Sequence, residues 1–212
     1  MMVRLALFSG AMAAAIGLSM AFADLPVATF FHAIGDTGLV QLAAATTDGG
    51  LAVWYLVGAA ALFLLFRFVL HRHWEAMMAA FVFASVATSG IVTDVLKVAF
   101  GRARPKLLFR DDLYQFHGLK FGANWNSFPS GHSTTVAAMT LALCLLVPRW
   151  RMVVIPLGVA LIATRVITTA HYLSDTLFGS YVGVTTTVWV YHHFRRRGFV
   201  AAQPALTRGE SP

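Results

Sequence analysis

The chain has 212 residues, of which 58% are hydrophobic and only 12% are charged. Because a globular domain in water carries about 25% charged residues, this composition excludes disorder, collagen-like repeats and most soluble enzymes, and it indicates a membrane protein. The net charge of +7 is compatible with nucleic acid, an anionic membrane surface or an anionic substrate, while the single cysteine, Cys144, excludes an intrachain disulfide and a cysteine-rich metal site.

Six stretches of the chain are apolar enough to cross the hydrocarbon core of a membrane, which takes about 20 residues of α-helix. Backbone polar groups inside lipid must find partners within the segment itself, and a helix provides them. The sequence therefore predicts an all-α fold, a six-transmembrane-helix bundle. The predicted spans are residues 5–23, 51–70, 76–100, 132–147, 152–169 and 175–194.

The first of these stretches has two interpretations. Arg4 precedes it and Ala21, Phe22 and Ala23 end it, so residues 1–23 also fit a cleaved signal peptide. The apolar run of about 19 residues is longer than the roughly 7–15 that a signal peptide uses, and this favours a retained first transmembrane helix.

The segment between the first two spans is too polar to enter lipid. Its residues 26–39 place Phe30, Phe31 and Leu39 among polar neighbours, which predicts an additional interfacial helix along the bilayer surface; a loop with anchoring aromatic residues is the alternative. Residues 1–198 form one predicted membrane domain, and residues 199–212 are predicted to be a disordered cytoplasmic tail.

The arginines predict the orientation of the bundle, since short cytoplasmic loops of membrane proteins are enriched in Lys and Arg. With six spans, both termini and two short loops fall on one side of the membrane and carry a group of arginines. These are Arg4, Arg67, Arg72, Arg149, Arg151 and Arg195 to Arg197. We therefore expect both termini in the cytoplasm, and the loops at residues 101–130 and 170–174 on the opposite side.

A cluster of cations lies at the start of the long loop on that opposite side. Lys97 ends the third span, and Arg102, Arg104 and Lys106 follow it. Cations that anchor a helix among lipid headgroups are expected on the cytoplasmic side, so this position favours a bound anion. Arginine is suited to bidentate phosphate contacts, whereas lysine acts as a mobile point charge.

The fourth span opens with Pro129, Ser130, Gly131 and His132. Pro and Ser at a helix start are typical of N-terminal capping, which is the ordinary structural interpretation. The free N–H groups and the dipole of a helix N-terminus also bind anions, and Gly131 allows the backbone to approach closely. His132 beside such a site is positioned to donate a proton.

The third cluster begins with Arg165, a charge within the fifth span, where charges are costly and indicate function. His171 and Asp175 follow four residues apart and would share one face of a helix. A carboxylate bonded to one imidazole nitrogen fixes the tautomer and leaves the other nitrogen free to attack, although a structural pair that caps the sixth helix is the alternative. The three clusters share one side of the membrane and together supply what phosphoryl transfer through a phosphohistidine requires.

These clusters resemble the three-part motif of the type 2 phosphatidic acid phosphatase (PAP2) superfamily. The family pattern is K-x6-R-P, then P-S-G-H, then S-R-x5-H-x3-D, and the chain matches its order and spacing. The matching residues are Lys97, Arg104, Pro105, Pro129, Ser130, Gly131, His132, Thr164, Arg165, His171 and Asp175. Thr164 stands where the family usually has Ser, and it keeps the hydroxyl group.

The resemblance implies a metal-independent hydrolase, without a cofactor, that removes phosphate from a lipid phosphate or pyrophosphate. It implies that His171 is the nucleophile, that Asp175 is its orienting partner and that His132 protonates the leaving group. Phosphate binding is implied for Lys97, Arg104, Ser130, Gly131 and Arg165. We expect the active site to face the periplasm from a bacterial inner membrane, surrounded by membrane lipids and without a nucleic-acid partner.

Two other functions fit the same residues. A lipid phosphotransferase would pass the phosphoryl group from His171 to an acceptor lipid instead of water. A transporter or a non-catalytic protein for anionic lipids would use the cations for binding alone, but a transporter is expected to carry polar or broken helices near mid-membrane in both halves. The sequence leaves open the oligomeric state and the lipid, among phosphatidic acid, phosphatidylglycerol phosphate, a polyprenyl pyrophosphate and lipid A phosphate.

Overall fold

The computed structural model describes residues 2–199, and the chain in this range is built from α-helices joined by turns and one longer loop. In chain order the helices are α1 (Met2–Leu18), α2 (Asp24–Ala33), α3 (Gly38–Thr47), α4 (Ala52–Leu64), α5 (His73–Phe100), α6 (Pro105–Asp111), α7 (Gly131–Leu146), α8 (Arg151–Ile167) and α9 (Leu173–Arg196). No β-strand forms between residues 2 and 199, so the prediction of an all-α fold is confirmed.

Five of the predicted spans coincide with helices to within a few residues. They correspond to α4 with its π-helical extension Leu65–Val69, and to α5, α7, α8 and α9. Within the described part of the chain, four helical stretches are long and apolar enough to cross a membrane: Ala6–Ala33, Gly38–Val69, His73–Phe100 and Pro148–Ile167. α7 is apolar but shorter, and α9 carries polar residues such as Thr185, Thr186 and Thr187 along its length.

The N-terminal region differs from the prediction. α1 continues through a π-helical turn, Ser19–Ala23, directly into α2, so the first helix ends at Ala33 instead of Ala23. The predicted interfacial helix at residues 26–39 does not form as one helix, because a turn at residues 34–37 separates the end of α2 from α3.

The predicted tail begins inside the described structure. Phe199, its first residue, is 5% exposed and packs on Phe81 and Phe194, with ring centroids 5.8 and 5.9 Å apart. The remainder of the predicted tail, residues 200–212, lies outside the described residues. The folded chain therefore extends past the predicted boundary at residue 198.

α7 and α9 form the centre of the bundle and pack against each other more extensively than any other pair of described helices. Gly179 and Gly183 of α9 lie directly against the carbonyl oxygens of Ser130 and Thr134, where an added Cβ atom would come within 2.4 and 2.3 Å. Small residues at such crossings let two helices approach closely in a membrane. α5 packs along both helices, and its last turns lie at the end of the bundle where α7 and α9 begin.

Large apolar side chains cover the outer faces of the helices. Phe22, Val57, Val95, Leu157 and Trp189 are each at least 60% exposed. A protein dissolved in water rarely exposes apolar side chains over so much of its surface, whereas lipid covers them in a membrane. This surface and the long apolar helices identify an integral membrane protein.

Candidate active site

The first motif occupies the end of α5 and the turn after it. Gly101 ends the helix in the left-handed conformation, with φ of 53°, and Arg104 is the N-cap of α6. Lys97 Nζ contacts Asp94 Oδ1 at 3.4 Å and lies beside Gly131, where an added Cβ atom would be 2.8 Å from Nζ. The lysine therefore stands at the N-terminus of α7.

The second motif starts α7, and its capping interpretation is correct. The Ser130 hydroxyl accepts from the Ser133 backbone N–H at 3.4 Å and lies 3.0 Å from the Ser133 hydroxyl. The backbone N–H of Ser130 donates to the carbonyl oxygen of Asp175 at 3.0 Å, which joins the starts of α7 and α9. Gly131 is the first residue of α7, so the free N–H groups and positive dipole end of this helix lie next to Lys97.

His132 is enclosed by the segment that follows α3. An added Cβ atom on Gly50 would come within 2.0 Å of Nε2 of His132, and the backbone of Thr47 interacts with the same ring. Nε2 is buried and has no hydrogen-bond partner among residues 2–199. This nitrogen is therefore available to a ligand that enters the site.

Arg165 lies in the last turn of α8. Its Nη1 donates to Thr47 Oγ1 at 2.8 Å, and the same hydroxyl lies 3.1 Å from the hydroxyl of the buried Thr164. Arg165 and Arg104 are close enough for their positive charges to repel each other, and neither forms an ion pair within the described chain. Arg104 instead donates Nε to Asn126 Oδ1 at 3.0 Å. Two unpaired guanidinium groups held together form a site for an anion such as phosphate.

His171 lies in the turn between α8 and α9, so it pairs with Asp175 as predicted but not within one helix. Nδ1 of His171 is 2.8 Å from the backbone oxygen of Ser127, whereas Asp175 Oδ2 is 3.6 Å away. Because a carbonyl oxygen can only accept a hydrogen bond, Nδ1 carries the proton and Nε2 keeps its lone pair. The tautomer with the proton on Nδ1 is thus set mainly by a main-chain carbonyl group.

Asp175 is fully buried in the first turn of α9. Its Oδ2 accepts from the Ser127 hydroxyl at 2.6 Å and from the backbone N–H of Tyr172 at 2.9 Å, and its Oδ1 accepts from Arg102 Nη1 at 2.5 Å. The carboxylate therefore orients His171 through Ser127 and through its own negative charge. Burial lowers the pKa of His171 more than Asp175 raises it, so the imidazole is neutral at pH 7.

Two cavities are lined by residues of this cluster. One, of 220 Å³, is lined by Lys97, Gly131, His132 and Gly50 among others. The other, of 760 Å³, is lined by Arg104 and by polar groups of the long loop and of the turn after α8. Four of the predicted site residues, Lys97, Arg104, Gly131 and His132, thus line open volume that a phosphate group can enter.

Several residues of the site have no role in the sequence-based prediction. Arg102, grouped there with the loop cations, is 1% exposed and bonded to Asp175. Thr47 and Gly50 lie in a stretch with the composition of a turn, and no sequence pattern singles out Ser127. Arg102 lies inside the first motif, between Lys97 and Arg104, at a position that the motif leaves unspecified.

An all-α fold with an apolar outer surface and a group of partly buried cations and histidines at one end defines a membrane protein with a candidate anion-binding site. Residues 78–199 match the PAP2 superfamily, and the chain belongs to this superfamily. Lys97, Arg104, His132, Arg165 and His171 all fall inside the matched region.

The chain is similar to two curated proteins named lipid A 1-phosphatase. It is 40% identical to the one from Rhizobium etli over 113 residues, which are 51% of this chain and 49% of the relative. It is 39% identical to the one from Rhizobium johnstonii over 113 residues, which are 51% of this chain and 46% of the relative. The chain thus spans about half the length of the curated relatives it matches.

The fold is also similar to a solved structure, that of the first transmembrane PAP2 type phosphatidylglycerolphosphate phosphatase from Bacillus subtilis. The two share 21% sequence identity and a TM-score of 0.63, and the match covers 98% of each chain. This likeness extends the shared fold beyond the matched family region to the N-terminal helices.

Proposed function

We propose that this protein is an integral-membrane phosphatase that hydrolyses a lipid phosphate or pyrophosphate through a phosphohistidine intermediate. One observation carries the proposal: the buried His171 has a free Nε2 in a site where Arg104 and Arg165 lie without a carboxylate partner. The first group is a nucleophile, and the two cations attract a phosphoryl group. No metal ion or cofactor has a part in this proposal.

In the first step, Nε2 of His171 attacks phosphorus. The N–P bond forms as the bond from phosphorus to the lipid oxygen breaks, and His132 transfers a proton to that leaving oxygen. The positive charge that develops on the His171 imidazole is stabilised by Asp175, whose Oδ2 lies 3.6 Å from Nδ1. The non-bridging oxygens are held by Lys97, Arg104, Ser130, Arg165 and the Gly131 N–H.

In the second step, water attacks the phosphorus of the phosphohistidine. His132, now neutral, accepts a proton from that water as the N–P bond breaks, and inorganic phosphate leaves. Both histidines return to their starting protonation states. If a lipid hydroxyl attacks in place of water, the same step transfers the phosphoryl group to that lipid, and the protein acts as a phosphotransferase.

Lipid A phosphate is the substrate that we propose first, because the two relatives named lipid A 1-phosphatase share 40% and 39% identity with this chain. The proposed site recognises only the phosphoryl group, which other lipid phosphates also present. The substrate assay should therefore compare lipid A phosphate with phosphatidic acid, phosphatidylglycerol phosphate and a polyprenyl pyrophosphate.

We further propose six membrane spans, with the active site on the periplasmic face of a bacterial inner membrane. α7, which is apolar but short, and α9, which carries polar residues, lie at the centre of the bundle, where other helices pack around them. The first helix is proposed to stay in the mature protein, supported by the 3.0 Å contact between Ser9 Oγ and Tyr181 OH. The arginine distribution supports the orientation.

The test is phosphate release from this panel by the purified protein in detergent micelles. We expect His171→Ala to lower the rate by about 10⁴-fold or more, the scale of losing a catalytic nucleophile. His117→Ala, which alters an exposed imidazole on the long loop, is the matched control and should keep full activity. Full activity of His171→Ala would contradict the mechanism, and strong inhibition by a metal chelator would contradict metal independence.

A further inference from the structure

Arg102 is one of the largest fully buried side chains of the described structure. Its Nη2 donates to Asp24 Oδ2 at 2.7 Å and to Tyr114 OH at 2.9 Å, and its Nη1 donates to Asp175 Oδ1 at 2.5 Å and to Ser174 Oγ at 2.7 Å. The guanidinium carbon also lies 4.4–5.9 Å from the centroids of four aromatic rings. These rings belong to Tyr114, Phe116, Phe128 and Tyr172.

Asp24 brings the N-terminal helix into contact with this guanidinium group. Its carboxylate is 1% exposed and accepts from Ser19 Oγ at 3.0 Å, from the backbone N–H of Ser174 at 2.8 Å and from Ser174 Oγ at 2.5 Å. Its bonds therefore tie α2 to the first turn of α9. A buried carboxylate with this many hydrogen-bond donors is an integral part of the packed structure and not a solvated surface charge.

Arg102 is hydrogen-bonded to both residues that face Nδ1 of His171. Its side chain holds Asp175, and its backbone oxygen accepts from the backbone N–H of Ser127 at 3.1 Å. Ser127 in turn accepts the Nδ1 proton of His171 with its own carbonyl oxygen. The position of one arginine thus determines the position of the carbonyl acceptor and of the carboxylate.

The net charge of Asp24, Arg102 and Asp175 also affects the protonation of His171. One guanidinium between two carboxylates leaves a net charge of −1, so Asp175 is held in place without being neutralised. This remaining negative charge favours the imidazolium that forms when His171 attacks phosphorus. Without the charge of Asp24, the net charge of the group would rise from −1 to zero, and Asp175 alone would favour the imidazolium less strongly.

We infer that Asp24 and Arg102 are positioning residues for the nucleophile: they fix Asp175 and Ser127, and Asp24 supplies the negative charge that stabilises the His171 imidazolium. The inference rests on the proposed function. Neither residue touches the phosphoryl group, and Asp24 lies outside the region that matches the family. The N-terminal helix therefore contributes to the chemistry and not only to membrane anchoring.

The decisive variant is Asp24→Asn, which keeps the shape and removes the charge. We expect kcat to fall about tenfold, the lower end of the cost of losing a partner one step removed from the reacting atoms, with KM unchanged. The acid limb of the pH profile of kcat/KM should move to lower pH, because the imidazolium loses a stabilising charge. Asp36→Asn, at an exposed carboxylate in the turn between α2 and α3, is the matched control and should leave both quantities unchanged.

Other charged groups also act on the same imidazole and stay in place in this variant. They are Asp175, Arg104, Arg165 and His132. Asp24→Glu keeps the charge while moving it by one methylene group, so its acid limb should stay at the wild-type pH even as kcat falls. If Asp24→Asn does not fold, an Asp24→Glu enzyme with wild-type kcat overturns the inference.

A readout without substrate separates this inference from the proposed function. In protein labelled with ¹⁵N-histidine, the His171 signal, assigned by its loss in His171→Asn, should titrate at lower pH in Asp24→Asn than in the wild type. An unchanged titration overturns the inference, as does an Asp24→Asn enzyme that loses thermal stability but keeps its kcat and its acid limb. Wild-type protein that releases phosphate from no lipid would contradict the proposed function alone, because the titration still reports on Asp24.

Discussion

At the residue scale, the character of His171 follows from what surrounds its two nitrogens. Nδ1 donates to the Ser127 carbonyl, so Nε2 is the basic and nucleophilic nitrogen. Burial is the largest influence on this imidazole and disfavours its charged form, while the nearby Asp175 carboxylate partly opposes it. The proposed nucleophile is therefore neutral at pH 7.

This environment predicts the pH dependence of the reaction. The pKa of His171 is lowered from its ordinary value of 6.5, and only the neutral imidazole can attack phosphorus, so activity should persist below pH 6.5 and be lost as pH falls through the lowered pKa. The measurement is kcat/KM against pH on a soluble short-chain lipid phosphate, since kcat/KM reports groups of the free enzyme. An acid limb at or above pH 6.5 would show that the nucleophile is not buried as described.

At the element scale, α3 and the 3-10 turn Asp48–Gly50 after it form one wall of the site that contains the three motifs. Thr47 bonds to Arg165, and the Cα atom of Gly50 lies against the His132 ring. This segment lies outside the region matched to the family, yet it contacts two of the proposed catalytic or binding residues. Its sequence combines a turn with small residues because a side chain at residue 50 would occupy the place of the imidazole.

Two neighbouring glycines allow a matched test of this wall. A Cβ atom at Gly50 would lie 2.0 Å from Nε2 of His132, whereas one at Gly49 would meet only Leu161 Cδ2 at an ordinary 3.6 Å. We expect Gly50→Ala to lower kcat/KM by about 100-fold, because a displacement of about 1 Å in a catalytic group costs about that much. Gly49→Ala should retain activity. Equal activities of the two variants in phosphate-release assays would show that the wall does not position His132.

At the scale of the whole molecule, helix packing places the site at one end of the bundle and leaves an apolar surface around it. The central α7 is apolar but short, and the central α9 can carry polar residues because other helices cover much of its surface. This explains why the described chain shows four stretches that qualify as spans by length and composition, while the apolar stretches of the sequence predict six. The four-span and the six-span arrangements place different loops on the same side of the membrane.

Thiol labelling distinguishes these topologies. In a Cys144→Ala background, Leu119→Cys places a thiol at a residue that is 82% exposed in the long loop, and Arg149→Cys places one in the exposed turn between α7 and α8. With six spans, a membrane-impermeant maleimide should label residue 119 in intact spheroplasts and residue 149 only after lysis. Labelling of residue 149 before lysis would contradict the proposed orientation.

Much of this protein could be predicted from the sequence because the relevant signals are local. Hydropathy over about 20 residues predicts α4, α5, α7, α8 and α9 to within a few residues, since the cost of placing polar groups in lipid depends on each segment alone. The spacing of Lys97, Arg104, His132, Arg165 and His171 singles out the residues that the structure gathers at one end of the bundle.

Only the tertiary structure shows how these residues are held. The carbonyl acceptor for His171 comes from Ser127, the wall against His132 comes from Gly50, and the second carboxylate on Arg102 comes from Asp24. Asp24 and Ser174 lie 150 residues apart, so no local pattern joins them. Such contacts depend on the packing of several helices at once, and hydropathy or motif spacing within one segment carries no information about them.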